Sequence, residues 1–301
     1  MLMPLRGSKK KGYVMLNEKQ KKIIGPVCIF LSALLFSLGG VCISYIPSWH
    51  ALSINGARGL ISAVLIGLYM LITKHKLVWN RSVLLGAFFM CSMMTTYVFA
   101  NKLTTAANAI VLQFTAPVFI ILFMWIFFRQ KPVKLDIITA LLVLAGIVCF
   151  FLDGLGGGGI LGDFIAIVSG ALYAGVFMMN AFPGSDPLSS ILLGHAACGI
   201  IGLPFLCSET DFSKTVILSI LILGLFQLGF AYILFSIGIR HTSPVAASLI
   251  AGIEPIMNPI LAAWLAHQYM KPLSLVGAAI VIISIVGYNV IKQLKTEPKR
   301  Q

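Results

Sequence analysis

The chain is expected to be an all-α membrane protein: ten transmembrane helices forming two inverted five-helix repeats, with the N- and C-termini in the cytoplasm. Three observations point there. The composition is strongly apolar and nearly free of acidic residues, ten apolar runs have the length of a bilayer span, and the second half of the chain repeats the first.

Of 301 residues, 59% are hydrophobic and 10% charged, against roughly 25% charged in an ordinary soluble domain. Nine acidic residues are too few to solvate the surface of a soluble globule of this length, so lipid is the expected solvent and partner. The formal charge of +13 fits the footprint of a nucleic-acid binder, but the basic residues fall in short clusters between long apolar runs, which excludes that class. Cys28, Cys42, Cys91, Cys149, Cys198 and Cys207 all lie in apolar runs. They form no CxxC pair and have no His at metal-ligand spacing, so no metal or cofactor is expected. Cys207, near an outer helix end, leaves a disulfide open. The basic stretch Lys9, Lys10, Lys11, Lys19, Lys21 and Lys22 precedes an apolar run over 23–46. That run is too long for a cleaved signal core and marks a retained first helix.

The ten runs cover 25–46, 50–73, 82–101, 104–128, 135–152, 161–182, 188–207, 215–238, 244–266 and 273–291. Turn-forming or charged breaks such as Arg129-Gln130-Lys131-Pro132 and Pro183-Gly184-Ser185-Asp186-Pro187 separate them. They must be helical, because an open strand leaves backbone groups unpaired in lipid, and they lack the alternation of a barrel. With the N-terminus inside, eighteen Lys and Arg fall in cytoplasmic segments, and only Lys102, Lys214 and Lys271 fall outside. That asymmetry is the positive-inside pattern. The remaining cation, Arg58, is inside the second run.

Shifting the chain by 138 residues lays 104–152 on 242–290 without a gap, matching Thr104 with Thr242, Ala109 with Ala247, Pro117 with Pro255, Gln130 with Gln268 and Ala140 with Ala278. The organisation expected is a basic tail (1–22), a first repeat (23–152), a Gly-rich extracytoplasmic linker (153–162), a second repeat (163–291) and a basic tail (292–301). The linker lacks the Lys-Ser/Thr pair of a P-loop, so no nucleotide drive is expected. Five helices per half send the second half into the membrane from the opposite side, the inverted repeat of many secondary transporters.

The segments Thr104-Thr105-Ala106-Ala107-Asn108, Ala116-Pro117-Val118-Phe119, Thr242-Ser243-Pro244-Val245-Ala246-Ala247 and Glu254-Pro255-Ile256, with the late patterns Ala145-Gly146-Ile147-Val148 and Gly277-Ala278-Ala279, carry a family resemblance. The chain resembles the drug/metabolite transporter superfamily, in its EamA-type ten-helix branch, over about 25–291. Where that family often ends its fourth and ninth helices with Gly-Glu, this chain has Arg129-Gln130 and His267-Gln268. The resemblance implies export, or less often uptake, of amino acids and related small metabolites through a central cavity.

Glu254, ten residues into the ninth run, is the acidic side chain placed near the centre of a span. A carboxylate there costs about 2.5–3.5 kcal/mol on insertion scales and faces a cavity or a partner. It is the candidate coupling group, with protons the candidate ion; the bland alternative is a carboxyl bonding backbone freed by Pro255 and Pro259. Asn258 shares its face at i+4. Arg58, with Asn55 one turn away, is either a carboxylate-binding cation or gate, or a partner of Glu254 or of helix-end carbonyls. Pro117, Pro255 and Pro259 should break their helices. Asn108, Gln113, Gln227, Tyr97, Tyr173, Tyr232 and the intramembrane His195 are weaker candidates, for which a structural role is the readier reading. Trp49, Trp79 and Trp125 are placed at the membrane interface.

The function expected is a secondary transporter of a small polar metabolite, an exporter working by alternating access in the plasma or inner membrane, as a monomer or homodimer. The alternatives are an uptake carrier, an intramembrane enzyme and a structural subunit. No catalytic residues are expected, because no nucleophile–base pair or second central carboxylate accompanies Glu254.

Overall fold

The computed structural model describes residues 18–129, 131, 133–154, 159–267 and 269–296. The basic tail to residue 17, the linker residues 155–158, the last residues 297–301, Gln130, Pro132 and Gln268 lie outside the described residues. All regular structure among the described residues is helical: α1 (Glu18–Phe36), α2 (Gly39–Ser44), α3 (Ala51–Ile72), α4 (Arg81–Leu103), α5 (Ala106–Gln113), α6 (Ala116–Phe128), α7 (Lys134–Gly154), α8 (Ile160–Met178), α9 (Pro187–Leu206), α10 (Lys214–Leu221), α11 (Ala231–Gly238), α12 (Pro244–Ile250), α13 (Glu254–Ala266) and α14 (Pro272–Thr296). Among them, 8 helices or helix pairs are long and apolar enough to cross a membrane. Two more apolar stretches, Ile137–Gly146 and Pro272–Tyr288, are shorter.

Four of the ten runs are interrupted, two of them beside Pro117 and Pro255, where a break is expected. The first breaks at Ser37-Leu38 between α1 and α2, just before Gly39-Gly40. The fourth breaks at Phe114-Thr115 and the ninth narrows to a 3₁₀ turn over Ala251–Ile253. The cause in both is the proline one turn on. Pro117 and Pro255 have no N–H for the carbonyls of Gln113 and Ala251, and their rings crowd those carbonyls. The break therefore lies before the proline, which sits in the first turn of the next helix, where its missing N–H costs nothing. The eighth run contains a π-helix over Ile222–Phe230 between α10 and α11.

The backbone repeats the sequence match. α6 spans Ala116–Phe128 and α13 spans Glu254–Ala266, and α7 and α14 begin at Lys134 and Pro272, each pair 138 residues apart. Thr105 Oγ1 accepts from Asn108 N (3.1 Å) and Ser243 Oγ from Ala246 N (3.3 Å), so α5 and α12 are capped alike. Arg129 and His267, at φ of 54° and 51°, end α6 and α13 in the same left-handed conformation.

Packing also respects the repeat: α4 lies on α8 and α9, while the π-helical run lies on α1 and α3, and α7 pairs with α14. Without a hydrophobic drive between helices in lipid, close approach depends on small residues. A Cβ on Gly56 would fall 2.7 Å from Gly202 Cα, and one on Gly146 would fall 2.7 Å from Val281 Cγ2. The apolar faces left outside include Leu71, Phe127, Ile200 and Trp264, as lipid requires.

Connections gather at two ends. At one, Asn80 donates to Gly184 O (2.7 Å), Ser82 to Pro183 O (2.7 Å) and Asn180 to Ile239 O (3.1 Å). Asp186, the N-cap of α9, is held there by Arg240 (2.6 Å), His75 (2.8 Å) and Ser189 Oγ (2.6 Å). Burial pushes its carboxyl up, but the hydrogen bonds from Ser189 and His75 more than offset this and hold it below the usual carboxylate range. At the other end, Lys102 donates to Ile46 O (2.7 Å), Ser48 to Asp211 (2.8 Å) and His50 N to Glu209 (2.7 Å). Tyr45 donates its hydroxyl to Leu265 O.

Two expectations change. Trp49 is not an interfacial marker: it is buried, and its indole donates to Asp211 O (2.7 Å), whereas Trp79 and Trp125 are exposed. The cysteines are all free, yet Cys91 and Cys198 meet across α4 and α9 with their sulfurs 3.4 Å apart.

Candidate functional site

The helix interruptions converge on one buried cavity lined by Arg58 from α3, Tyr97 with Met93 and Met94 from α4, Gln113 from α5, Tyr173 from α8, Gln227 and Leu228 from the π-helix, Tyr232 from α11, Glu254 from α13 and Phe36 from α1. It leaves about 20 Å³ in which the centre of a water molecule can move, room for about one or two waters on that measure. An amino acid does not fit until the lining helices part.

Arg58 is 1% exposed. Its Nη2 donates to Asn55 Oδ1 (3.2 Å) and Met94 O (3.3 Å), and its Nη1 to Gln227 Oε1 (3.5 Å). Asn55 is anchored in turn by donating to Thr95 Oγ1 (3.0 Å). The guanidinium is therefore solvated by amides and a carbonyl, with no carboxylate spent on it, and its Nε has no partner among the described residues. The π-helix, a form that recurs at functional sites, is the element presenting Gln227 to it.

Glu254 is 5% exposed and is the first residue of α13, directly after the 3₁₀ turn over Ala251–Ile253. Its Oε2 has no partner among the described residues. Glu254 and Arg58 do not form an ion pair: no Arg58 nitrogen comes within 4.0 Å of a Glu254 oxygen. The ion-pair alternative for Arg58 is thus overturned, because the Asn55, Gln227 and Met94 oxygens satisfy the guanidinium instead. Tyr97 Oη, also on the cavity, is likewise unpartnered among the described residues.

Seven expected residues therefore meet around one space or directly behind it: Arg58, Asn55, Gln113, Gln227, Tyr97, Tyr173 and Tyr232 join Glu254 there. Gln113 donates to Ser169 Oγ (2.6 Å), which donates to Met93 O (3.1 Å), so it is positioned by α8. Asn258 is fully buried but donates to Ser37 O (3.1 Å) in the α1–α2 break; it pins that break next to the cavity. His195 lies behind the wall, its ring edge-on to Tyr232 at 5.0 Å and its Nδ1 2.7 Å from Ile191 O. Asn108 is not at the cavity. It occupies the third position of α5, near the helix end, where its N–H receives the Thr105 cap. Pro259 does not break its helix as expected: α13 runs through it from Glu254 to Ala266, since an interior proline removes one backbone hydrogen bond and can kink a helix without ending it.

Residues missed from sequence are Phe36, Met93, Met94 and Leu228, indistinguishable from lipid-facing apolar residues, and Gly39-Gly40. A Cβ on Gly40 would fall 2.7 Å from Ala106 Cβ and 2.9 Å from Asn258 Oδ1; one on Gly39 would fall 3.0 Å from Gln227 Nε2. A glycine pair in mid-span was the available signal. Among the described residues no three His, Cys, Asp or Glu side chains gather as metal ligands.

The profile of the EamA-like transporter family matches residues 23–152 and again 160–290. The chain is 26% identical over 238 residues to a protein of Clostridium kluyveri described as an uncharacterized transporter, covering 72% of this chain and 76% of that one. It is 28% identical over 130 residues to mouse solute carrier family 35 member G1, covering 42% of this chain and 35% of the mouse protein. A crystal structure of another protein superposes with a TM-score of 0.67 over 95% of this chain and 100% of that one, at 16% identity, which is a likeness of fold alone.

Proposed function

Because this chain belongs to the EamA-like transporter family and is a multi-pass membrane transporter rather than an enzyme, we propose that it is a secondary carrier of a small zwitterionic metabolite, an amino acid or close relative. It works by alternating access between two inverted halves of five helices with cytoplasmic termini. The observation that carries this reading is an arginine and a carboxyl side chain on one cavity with no ion pair between them. A substrate carboxylate reaching the Arg58 guanidinium forms charge-assisted hydrogen bonds, and a substrate ammonium meets Glu254.

An ionised carboxylate alone at mid-membrane is costly. Glu254 therefore holds a proton when the cavity is empty and releases it when a substrate ammonium arrives, which couples substrate to protons in exchange. Export follows from the family resemblance: outward movement of the substrate is driven by inward movement of the proton. The small cavity is the collapsed state of the site, and the interrupted first, fourth, eighth and ninth runs supply the joints at which it opens. Matching end contacts on both sides, Asp186 with Arg240 and Lys102 with the Ile46 carbonyl, are the closures exchanged between inward- and outward-open forms.

The test is uptake of labelled amino acids into empty proteoliposomes under imposed pH gradients. Substrate accumulation driven by the gradient, with proton movement of opposite sign, supports the reading. Equal transport of neutral sugars or of singly charged amines contradicts it.

A further inference from the structure

A second recess lies at the end of the molecule that carries Asp186. It offers about 400 Å³ on the same measure, within the size range of small-molecule sites. Lys74, His75 and Lys76 after α3, Arg240 after α11, and Tyr69 and Ser236 line it. Its charge is unbalanced. Asp186 is already engaged by Arg240, His75 and Ser189, and among the described residues no carboxylate lies within 4.0 Å of Lys74 or Lys76. The C-termini of α3 and α11 each contribute about half a negative charge. With Asp186 they offset about two of the three permanent cations, leaving the recess positive.

Lys74 adds a second observation. Its φ is 53°, and it closes α3 with His75 N donating to Met70 O (2.9 Å) and Lys74 N to Leu71 O (3.2 Å). That motif normally takes Gly or Asn at the left-handed position, where an ordinary L-residue costs roughly 1–2 kcal/mol. Here the position carries a lysine, and its side chain lines the recess. Arg129 and His267 take the same conformation at the ends of α6 and α13; what sets Lys74 apart is that it lines a concave, positively charged recess.

We propose that this recess binds a phosphate-type anion, either the headgroup of an anionic lipid or a soluble phosphorylated compound. The ammonium groups of Lys74 and Lys76 and the guanidinium of Arg240 supply charge-assisted donors. Asp186 fixes Arg240 from behind, so that the guanidinium is held in place before the anion arrives. The site is separate from the Arg58–Glu254 cavity, and its occupancy does not depend on which metabolite that cavity carries.

The test uses the purified full-length chain in neutral detergent, with its Tm followed during titration with inorganic phosphate against chloride at matched ionic strength. A parallel arm compares nanodiscs of phosphatidylglycerol and phosphatidylcholine with nanodiscs of phosphatidylcholine alone. Phosphate raising Tm assigns a soluble anion, and a rise with phosphatidylglycerol alone assigns a lipid headgroup. In either case the double variant Lys74→Gly/Lys76→Gln should weaken the apparent affinity at least about tenfold, as expected for hydrogen bonds to charged groups. Lys74→Gly by itself should keep or raise the Tm without ligand, because glycine suits that φ; this separates loss of binding from loss of fold. No response to either probe, or an equal response in the double variant, overturns the proposal.

Discussion

The starts of α6 and α13 have one backbone and two chemistries. Each follows an interruption one turn before a proline, each runs for the same length, and each ends on a left-handed residue. Yet Ala116 and Ile120 in the first half stand where Glu254 and Asn258 stand in the second. The first half returns the favour at Gln113, which faces the cavity where the second half has Ala251. The repeat thus makes two joints of like backbone, and an acidic side chain is placed at only one of them.

The sharpest way to break this comparison is to exchange the chemistry. Ala116 is fully buried and outside the cavity lining, so Ala116→Glu should destabilise by about 2.5–3.5 kcal/mol, the insertion cost of a mid-membrane charge, and lower Tm in detergent by several degrees. Glu254→Ala, at the matching position, should leave Tm unchanged or raise it, since it removes a buried carboxyl with an unpartnered oxygen. Equal behaviour of the two variants would mean that Glu254 is a structural element of the joint.

Glycine tests come next in size. Gly40→Val places side-chain atoms against Ala106 and Asn258 and should cost about 1–3 kcal/mol through overpacking, read as reduced Tm and yield. At Gly67 an added Cβ would meet no other atom within 4 Å, so valine there should produce no measurable change. The two left-handed caps sharpen the likeness rather than the difference. Arg129→Gly and His267→Gly should each stabilise by about 1 kcal/mol, and by similar amounts if the repeat is as close as the backbone indicates.

The smallest effect is at Asp186. Its carboxyl is held below its usual value, so its contribution to stability is complete above that usual value, near 3.9, and is lost as pH falls through the lowered one. Asp186→Asn should therefore narrow the Tm difference between wild type and variant only in strongly acidic buffer. A difference that persists unchanged there would show that the carboxylate's charge is not what holds Arg240 and His75.

The spans were legible because lipid imposes length and apolarity on a helix, and the repeat was legible because Pro117 and Pro255 punctuate it identically. Glu254, Arg58 and Gln227 were legible as polar groups too expensive to leave without purpose. What escaped was the break at Ser37-Leu38, because glycine pairs occur in continuous membrane helices, and the π-helix around Gln227, because nothing in its apolar sequence distinguishes it from α. Asn108 was misplaced for a different reason. Its position four residues into a span puts it near the helix end, where an amide is within reach of the connection, not the centre.

The most direct measurement is of ligand-induced Tm shifts in wild type, Arg58→Gln and Glu254→Gln, using a bound zwitterionic amino acid and its N-acetyl and amide derivatives. If the two charges read the two ends of one substrate, Glu254→Gln loses the preference for a free ammonium and Arg58→Gln the preference for a free carboxylate, each by about tenfold or more. Identical losses for every derivative in both variants, or wild-type shifts in either, would contradict a cavity built on these two side chains.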